Sequence, residues 1–238
     1  MEAPNDSLDS KVQQLAAEWL PDARALLAEI IRIPADYVDR PASEGGDPSC
    51  GLSNHEGPRL EYLKRRIIEL GAVERPEDIG FDTFGNLVWT VQDRADGIPE
   101  DQKTVIYLDG HTDTVKALRP RWLEAIGGGI DAYDGLTNLD SVNEDFLRSE
   151  LGHIPERSEW DHVLFGRGSA DQLGGVVCQV MATRIALALK SQGSLKGVIV
   201  RSYATVCEED NDGAGPMYLM RNELPGKGPE FVPDVLIL

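Results

Sequence analysis

The amino-acid sequence predicts an α/β layered domain whose largely parallel or mixed central sheet is flanked by helices. Short apolar runs of the length of buried strands, such as TVIYLDG and GVIVRSYATV, alternate with segments whose apolar residues recur every three or four positions. This alternation is typical of strands that are joined through helices within one sheet. The 238 residues, 41% of them apolar, suffice to bury a sizeable core.

The N-terminal part of the chain predicts two helical regions and a hairpin. Apolar residues recur at helical spacing over 8–33, and Pro21 is expected to kink or split that helix. A loop rich in Gly, Pro and Ser over 40–58 leads to a second helix from about Arg59 to Leu70. The stretch FDTFGNLVWTVQ then predicts a hairpin that turns at 85–86.

The rest of the chain predicts strands that alternate with helices. After the strand TVIYLDG, residues 116–160 offer many turn residues and little core, which indicates an insertion. The stretch HVLFGRGSADQLGG predicts a strand, a tight turn and the start of a helix that ends near Gly193. A strand from Gly197 to about Val206, a helix around 216–222 and a final strand in PDVLIL follow.

The charge of the chain narrows the classes of partner. Lysine and arginine total 23 against 41 aspartate and glutamate residues, a formal net charge of −18. Such a chain repels nucleic acid and anionic membranes and attracts cations. No apolar run approaches the roughly 18 residues that a membrane helix needs, and the N-terminal residues do not resemble a signal peptide. We therefore expect a soluble, cytoplasmic protein.

The three cysteines do not suggest a metal ribbon or a disulfide framework. Cys50, Cys178 and Cys207 are far apart, odd in number and free of any C-x-x-C pair. Cys207 precedes an acidic run, but no partner histidine is evident, so a small core residue is the expected role.

Three groups of chemically active residues follow predicted strands. They are the pair His111 and Asp113, the single carboxylate Asp171, and the acidic run 208–210. Functional groups in open α/β sheets collect at the carboxyl ends of strands, so these three groups are expected to converge. That repetition is the strongest functional signal in the sequence.

The residue types at these positions suit a metal centre. His111 and Asp113 lie two apart, so an extended backbone points both to one side, and Asp113 could fix the imidazole of a ligand. Asp171, at a helix start, stays ionised easily and could bridge two cations. Glu208 and Glu209 diverge as neighbours, so one could bind metal while the other acts as a base. Nitrogen and oxygen ligands suit zinc, manganese or cobalt.

Each group has a simpler interpretation. An H-x-D sequence at a strand end is common without metal, and an acidic run is usually a solvated surface patch. The GRG turn before Asp171 could be an ordinary strand-to-helix connection or a phosphate loop, although neither G-x-x-x-x-G-K-[ST] nor G-x-G-x-x-G is present.

Taken together, the stretches DGHTDTV, FGRGSADQLGGVV and TVCEEDNDG resemble the motifs of the M20 metallopeptidase family. The family includes acetylornithine deacetylase, succinyl-diaminopimelate desuccinylase, glutamate carboxypeptidase and aminoacylase-1. FDTFGNLV resembles the hairpin that precedes the family's first ligand strand. The resemblance implies a dinuclear metal-dependent hydrolase that cleaves an amide bond of a dipeptide or an N-acyl amino acid.

The resemblance also implies a role for each site residue. His111 would bind one divalent ion, Asp171 would bridge two ions, and Glu209 would bind the second ion. Asp113 would support His111, and Glu208 would be the general base. Zinc is the expected metal, with cobalt or manganese as alternatives.

The resemblance covers nearly the whole chain but only the first part of the family's length. It implies that 1–238 is a partial catalytic domain without the lid and dimerisation domain and the final catalytic segment. We therefore expect uncovered apolar sheet surface and no native-like homodimer. The alternative to an active hydrolase is a non-catalytic binding or regulatory remnant of one.

Overall fold

The computed structural model describes residues 7–36, 56–137, 140–209 and 213–238, which form a five-stranded mixed sheet with helices packed against it. The helices are α1 (Leu8–Glu18), α2 (Leu20–Ile31), α3 (Gly57–Glu69), α4 (Arg119–Ala125), α5 (Glu144–Leu151), α6 (Leu173–Ala188) and α7 (Ala214–Tyr218). The strands are β1 (Ile79–Phe81), β2 (Leu87–Gln92), β3 (Thr104–His111), β4 (Leu136–Thr137), β5 (Leu164–Phe165), β6 (Val198–Thr205) and β7 (Val235–Ile237). The predicted α/β class is confirmed.

The order of strands in the main sheet is β1-β2-β6-β3-β7. Strands β3 and β6 run parallel in register from Thr104↔Val198 to His111↔Thr205, and β7 is parallel to β3 on its other side. Strands β2 and β1 are antiparallel additions beyond β6. Because β3 and β6 are parallel neighbours, the residues that follow His111 and Thr205 leave the sheet side by side.

The main core lies between one face of the sheet and the helices α2, α3 and α6. The large side chains that this core buries completely are Leu26, Ile30, Ile31, Leu63, Ile67, Leu87, Trp89, Leu173, Val176 and Val180. Burial of each large apolar side chain stabilises the fold by roughly 1.5–3 kcal/mol. The core therefore holds α6, and with it the start of that helix, against the sheet.

The N-terminal helical region is split where the sequence places Pro21. Helix α1 ends at Glu18 and α2 begins at Leu20, so Pro21 lies in the first turn of α2, where a missing N–H breaks no helical bond. Helix α3 ends two residues before Gly71, which has a φ of +69°. Most of the predicted loop 40–58 lies outside the described residues.

The predicted hairpin is confirmed, with Ile79 paired to Trp89 across β1 and β2. One carboxylate oxygen of Asp82 accepts the backbone N–H groups of Phe84, Gly85 and Asn86 at 2.8–2.9 Å, which closes the turn.

The strand predicted before the turn to Asp171 is present, but it lies outside the main sheet. Strand β5 contains only two residues, and it pairs with β4 in a separate two-stranded ladder. Asp171 reaches the sheet edge instead because α6, which packs on β3, begins two residues later at Leu173.

The prediction of little core within 116–160 is wrong. Helices α4 and α5 and a 3-10 turn (Arg157–His162) enclose their own apolar cluster, and we call residues 119–137 and 140–162 the side lobe. The cluster buries Ala125, Ile126, Val142, Ile154 and Trp160. These residues are spread over short elements and turns, so they produce no sustained periodic pattern.

Within the described residues, no helix combines the length and the apolar character needed to cross a membrane.

Candidate metal centre

His111 ends β3 with its side chain buried. Its Nε2 lies 2.9 Å from a carboxylate oxygen of Asp171, and its Nδ1 lies 3.1 Å from the backbone carbonyl oxygen and 3.4 Å from a carboxylate oxygen of Asp113. Its backbone N–H donates to the side-chain oxygen of Gln172 at 3.3 Å. The contacts with Asp113 therefore fix the Nδ1 side of the ring, and Nε2 faces the carboxylates of Asp171 and Glu208. This arrangement suits a metal-binding imidazole.

Asp113 is completely buried and links two parts of the site. One of its carboxylate oxygens accepts the backbone N–H of Glu208 at 3.1 Å, and the other accepts that of Glu209 at 2.9 Å. One carboxylate thus orients both the His111 ring and the start of the acidic run. The sequence predicted the first contact but not the second.

The acidic run turns toward Asp113 at Cys207, the residue before it. Cys207 has a φ of +55°, which costs a non-glycine residue roughly 1–2 kcal/mol. The buried carboxylate of Glu56 accepts the backbone N–H of Cys207 at 3.0 Å and holds this turn. Cys207 belongs to the main core, as the sequence predicted, and Glu56 is a support that the sequence did not indicate.

The three predicted ligands converge. His111, Asp171 and Glu209 each offer one ligand atom within 4.8 Å of the others. Asp171 keeps 76% of its side chain exposed, and a carboxylate oxygen of Glu208 lies 3.8 Å from Nε2 of His111. One imidazole nitrogen and two carboxylate oxygens fit zinc, cobalt or manganese. A second ion would need ligands beyond this group, so the number of ions stays a prediction.

Negative charge is concentrated around the ligands. Burial lowers the pKa of His111, but the carboxylates of Asp113 and Asp171, helped by Glu208, outweigh it and raise the pKa to about 9. Burial raises the pKa of Glu209, and the neighbouring negative charges of Asp171 and Glu208 add to this. The site therefore favours a positive charge, which a divalent cation would supply.

Arg59 is a buried support of the site that the sequence analysis missed. Its Nε donates to the backbone carbonyls of Ile30 and Ile33 at 3.0 and 2.8 Å, and Nη1 donates to that of Thr112, between His111 and Asp113. Burial lowers its pKa to about 10.

A signal for Arg59 was present in the sequence. It shares an i, i+4 stripe with Leu63 and Ile67, and an arginine on the apolar face of a helix needs buried acceptors.

Comparison with known proteins identifies the fold. No family model matches the sequence, and no curated protein matches it. Human carnosine dipeptidase 1 aligns over 93% of this chain with a TM-score of 0.54 at 16% identity. The dipeptidase Dug1p from Saccharomyces cerevisiae aligns over 86% of it with a TM-score of 0.51 at 14% identity. The chain has the fold of part of these peptidases.

The likeness extends over a limited part of both dipeptidases. The chain spans 39% of the human protein and 35% of the yeast protein. At these identities the likeness concerns the fold alone.

Proposed function

We propose that the chain is a metal-dependent hydrolase that cleaves the amide bond of a dipeptide or an N-acyl amino acid. The observation that carries this proposal is the convergence of His111, Asp171 and Glu209 within 4.8 Å, beside Glu208. The fold shared with two dipeptidases supports a peptide as the substrate. Clusters of titratable groups with shifted pKa values are typical of functional sites.

The three converging side chains would hold the metal. In the two-ion arrangement, His111 and Glu209 would each bind one ion and Asp171 would lie between them as the bridge. Zinc is the first choice, with cobalt or manganese as alternatives. A bound divalent cation polarises a substrate carbonyl and makes water more acidic.

Glu208 is the proposed general base. Its half-buried carboxylate lies next to the ligands without belonging to the converging group, so it is free to accept the proton of the attacking water. The oxygen of that water forms the new bond to the amide carbon, the C–N bond breaks, and Glu208 returns the proton to the leaving amine. Asp113 positions this base because it accepts the backbone N–H of Glu208.

Glu208→Gln tests this function. The substitution keeps the size of the side chain but removes its basicity, so we expect turnover of dipeptides or N-acyl amino acids to fall by about 10²–10⁴-fold. Metal content, measured by mass spectrometry of the purified chain, should not change. Glu61→Gln, on the exposed surface of α3, is the control and should leave both quantities unchanged.

The competing interpretation is a non-catalytic remnant that binds metal weakly or not at all. It would be supported if the purified chain retained no zinc, manganese or cobalt and cleaved no acyl-amino acid or dipeptide when these metals were added. Equal turnover by the original chain and the Glu208→Gln variant would contradict the role of Glu208 alone.

A further inference from the structure

A cavity of about 410 Å³ lies between the side lobe and the turn that precedes Asp171. Leu118 and Trp122, at the start of α4, and Leu147 and Leu151, on α5, form its apolar side. The backbone of 166–171 forms the opposite wall. The volume lies within the range of sites for small molecules and exceeds what one large side chain needs.

The cavity adjoins the candidate metal centre at Asp171, the one residue of the converging group that lines it. This residue lines the cavity, and its carboxylate lies 2.9 Å from Nε2 of His111. A molecule whose amide bond lay at the centre could therefore place an adjoining group in the cavity.

Ion pairs and hydrogen bonds hold the cavity walls together. Arg121 on α4 pairs with Glu150 on α5 at 2.5 Å, and the Arg121 guanidinium lies 5.3 Å from the centre of the Phe146 ring. Arg167 donates to the backbone carbonyls of Val115 and Lys116, which ties the turn to the segment before α4. Because Arg121 and Glu150 neutralise each other, the side-lobe wall favours an apolar group over a charged one.

Two large apolar side chains of the wall are left uncovered. Leu118 is 72% exposed and Leu151 is 68% exposed. An apolar group that bound between α4 and α5 would remove part of this surface from water, which stabilises the complex.

We propose that the cavity binds a large aliphatic or aromatic side chain of the substrate, on a residue that adjoins the cleaved amide bond. This inference rests on the proposed function and gives it a substrate class. Substrates with leucine- or phenylalanine-like side chains are favoured over substrates that carry only glycine or alanine.

The variant Leu118→Asp tests the cavity, with Leu123→Asp as its matched control. Leu123 lies on α4, five residues after Leu118, and is 52% exposed, but it is absent from the cavity wall. Both variants add one charge at an exposed leucine on α4 or directly before it. The measured quantity is the ratio of kcat/KM for a leucyl dipeptide to kcat/KM for a glycyl dipeptide. We expect this ratio to fall by about 10–200-fold in Leu118→Asp and to stay unchanged in Leu123→Asp.

A binding measurement separates this inference from the proposed function. The probes are N-acetyl-L-leucinamide and N-acetylglycinamide, titrated into the full chain by calorimetry with and without added zinc. We expect the leucine probe to bind more tightly than the glycine probe, and Leu118→Asp to remove the difference.

The outcomes are distinct. Preference for the leucine probe in a chain that holds no metal and hydrolyses nothing would keep the cavity and reject the proposed function. Hydrolysis without preference between leucyl and glycyl substrates would keep the function and reject the cavity. Equal binding of both probes, or an equal effect of Leu123→Asp, would also overturn the cavity proposal.

Discussion

At the scale of single residues, Asp113 connects the histidine of the candidate metal centre to its acidic run. Its carboxylate contacts the His111 ring and accepts the backbone N–H groups of Glu208 and Glu209. Burial raises its pKa, but the hydrogen bonds from His111 and from these two N–H groups outweigh burial and lower the pKa below its ordinary value. Asp113 is thus ionised, and its contacts position the ring of His111 and the backbone of Glu208 and Glu209.

Replacement of Asp113 by asparagine should weaken metal binding by about 10–100-fold, as expected when a residue behind a metal-binding histidine is lost. The neutral amide cannot hold the imidazole with a negative charge, and it offers one oxygen instead of two to the backbone of 208–209. Zinc affinity, measured by competition with a chromophoric chelator, checks this. Asp101→Asn, on the exposed segment before β3, is the control. Unchanged affinity in Asp113→Asn would show that the histidine needs no support from it.

The convergence of the predicted ligands could be foreseen from the sequence, whereas the residues that support them could not. His111, Asp171 and Glu209 stand out because metal-binding residue types follow strand-like or turn segments, and the structure brings them together. Arg59 and Glu56 did not stand out, because their partners are backbone groups of segments that are distant along the chain. Such contacts depend on the tertiary packing and leave no local pattern.

At the scale of elements, α3 is tied to the end of β3 by Arg59. The side chain donates to the carbonyl of Thr112, to that of Ile30 in the last turn of α2 and to that of Ile33 just after it. Helix α3 thus supplies a buried arginine that holds the backbone beside His111, in addition to the apolar side chains that it buries in the core.

Replacement of Arg59 by methionine should lower the free energy of unfolding by about 2–4 kcal/mol, because buried carbonyls lose charged donors. Urea denaturation checks the change. Arg65→Met is the control on the same helix; its side chain is 60% exposed, and its ion pair with Glu69 is 3.9 Å long, so a loss within about 0.5 kcal/mol is expected. A loss in Arg59→Met no larger than in the control would contradict the anchoring role.

An ion-pair cluster links the two ends of the β1–β2 hairpin that lie opposite its turn. Asp78, before β1, accepts from Arg75 at 2.9 Å and from Arg94, after β2, at 2.7 Å. Burial raises the pKa of Asp78, but the two arginines outweigh burial and hold the pKa below its ordinary value of 3.8.

The cluster should make stability depend on pH in the acid range. Because the folded pKa of Asp78 is below the unfolded value, its contribution is complete above pH 3.8 and is lost as the pH falls through the folded pKa. Asp78→Asn should therefore cost about 1 kcal/mol near neutral pH, limited by the partial exposure of the arginines. Urea titrations at several pH values give the free energy of unfolding of the variant and of the original chain. The difference between the two free energies should shrink only below about pH 4. If the difference in free energy of unfolding stayed constant down to the pH at which the chain unfolds in acid, the ion pairs of Asp78 would not be its cause.

The long elements were predictable, whereas the short ones were not. Helix α3 and strands β3 and β6 carry sustained apolar patterns, and their predicted bounds agree with the structure to within two residues; α6 carries one too, but ends at Ala188, before the predicted end near Gly193. Strand β5 has two residues, and the side lobe buries its apolar residues from turns and short helices. Their placement depends on contacts with each other rather than on periodicity.

At the scale of the whole molecule, a net charge of −18 opposes the association between copies that an exposed apolar sheet edge favours. Strand β7 pairs with β3 on one side, and Val235, Leu236 and Ile237 are all exposed. Among the described residues no strand pairs with its other side. Edge strands of this kind favour association between chains, while like charge opposes it.

We expect concentration-dependent association that grows with salt, because ions screen the repulsion between negatively charged copies. Leu236→Lys, on the edge strand, should reduce it. Sedimentation velocity at low and high sodium chloride checks both expectations, and Leu20→Lys, at the exposed start of α2, is the control. A chain that stays monomeric at high concentration and high salt would contradict the prediction.

The separate apolar cluster of the side lobe makes its replacement feasible in engineering. The lobe that forms one wall of the proposed side-chain cavity does not share its buried residues with the main core, which packs on the sheet that His111 ends. If the proposed function holds, grafting a lobe of different shape onto this scaffold would thus alter which substrates are accepted while His111 and Glu209 stayed in place.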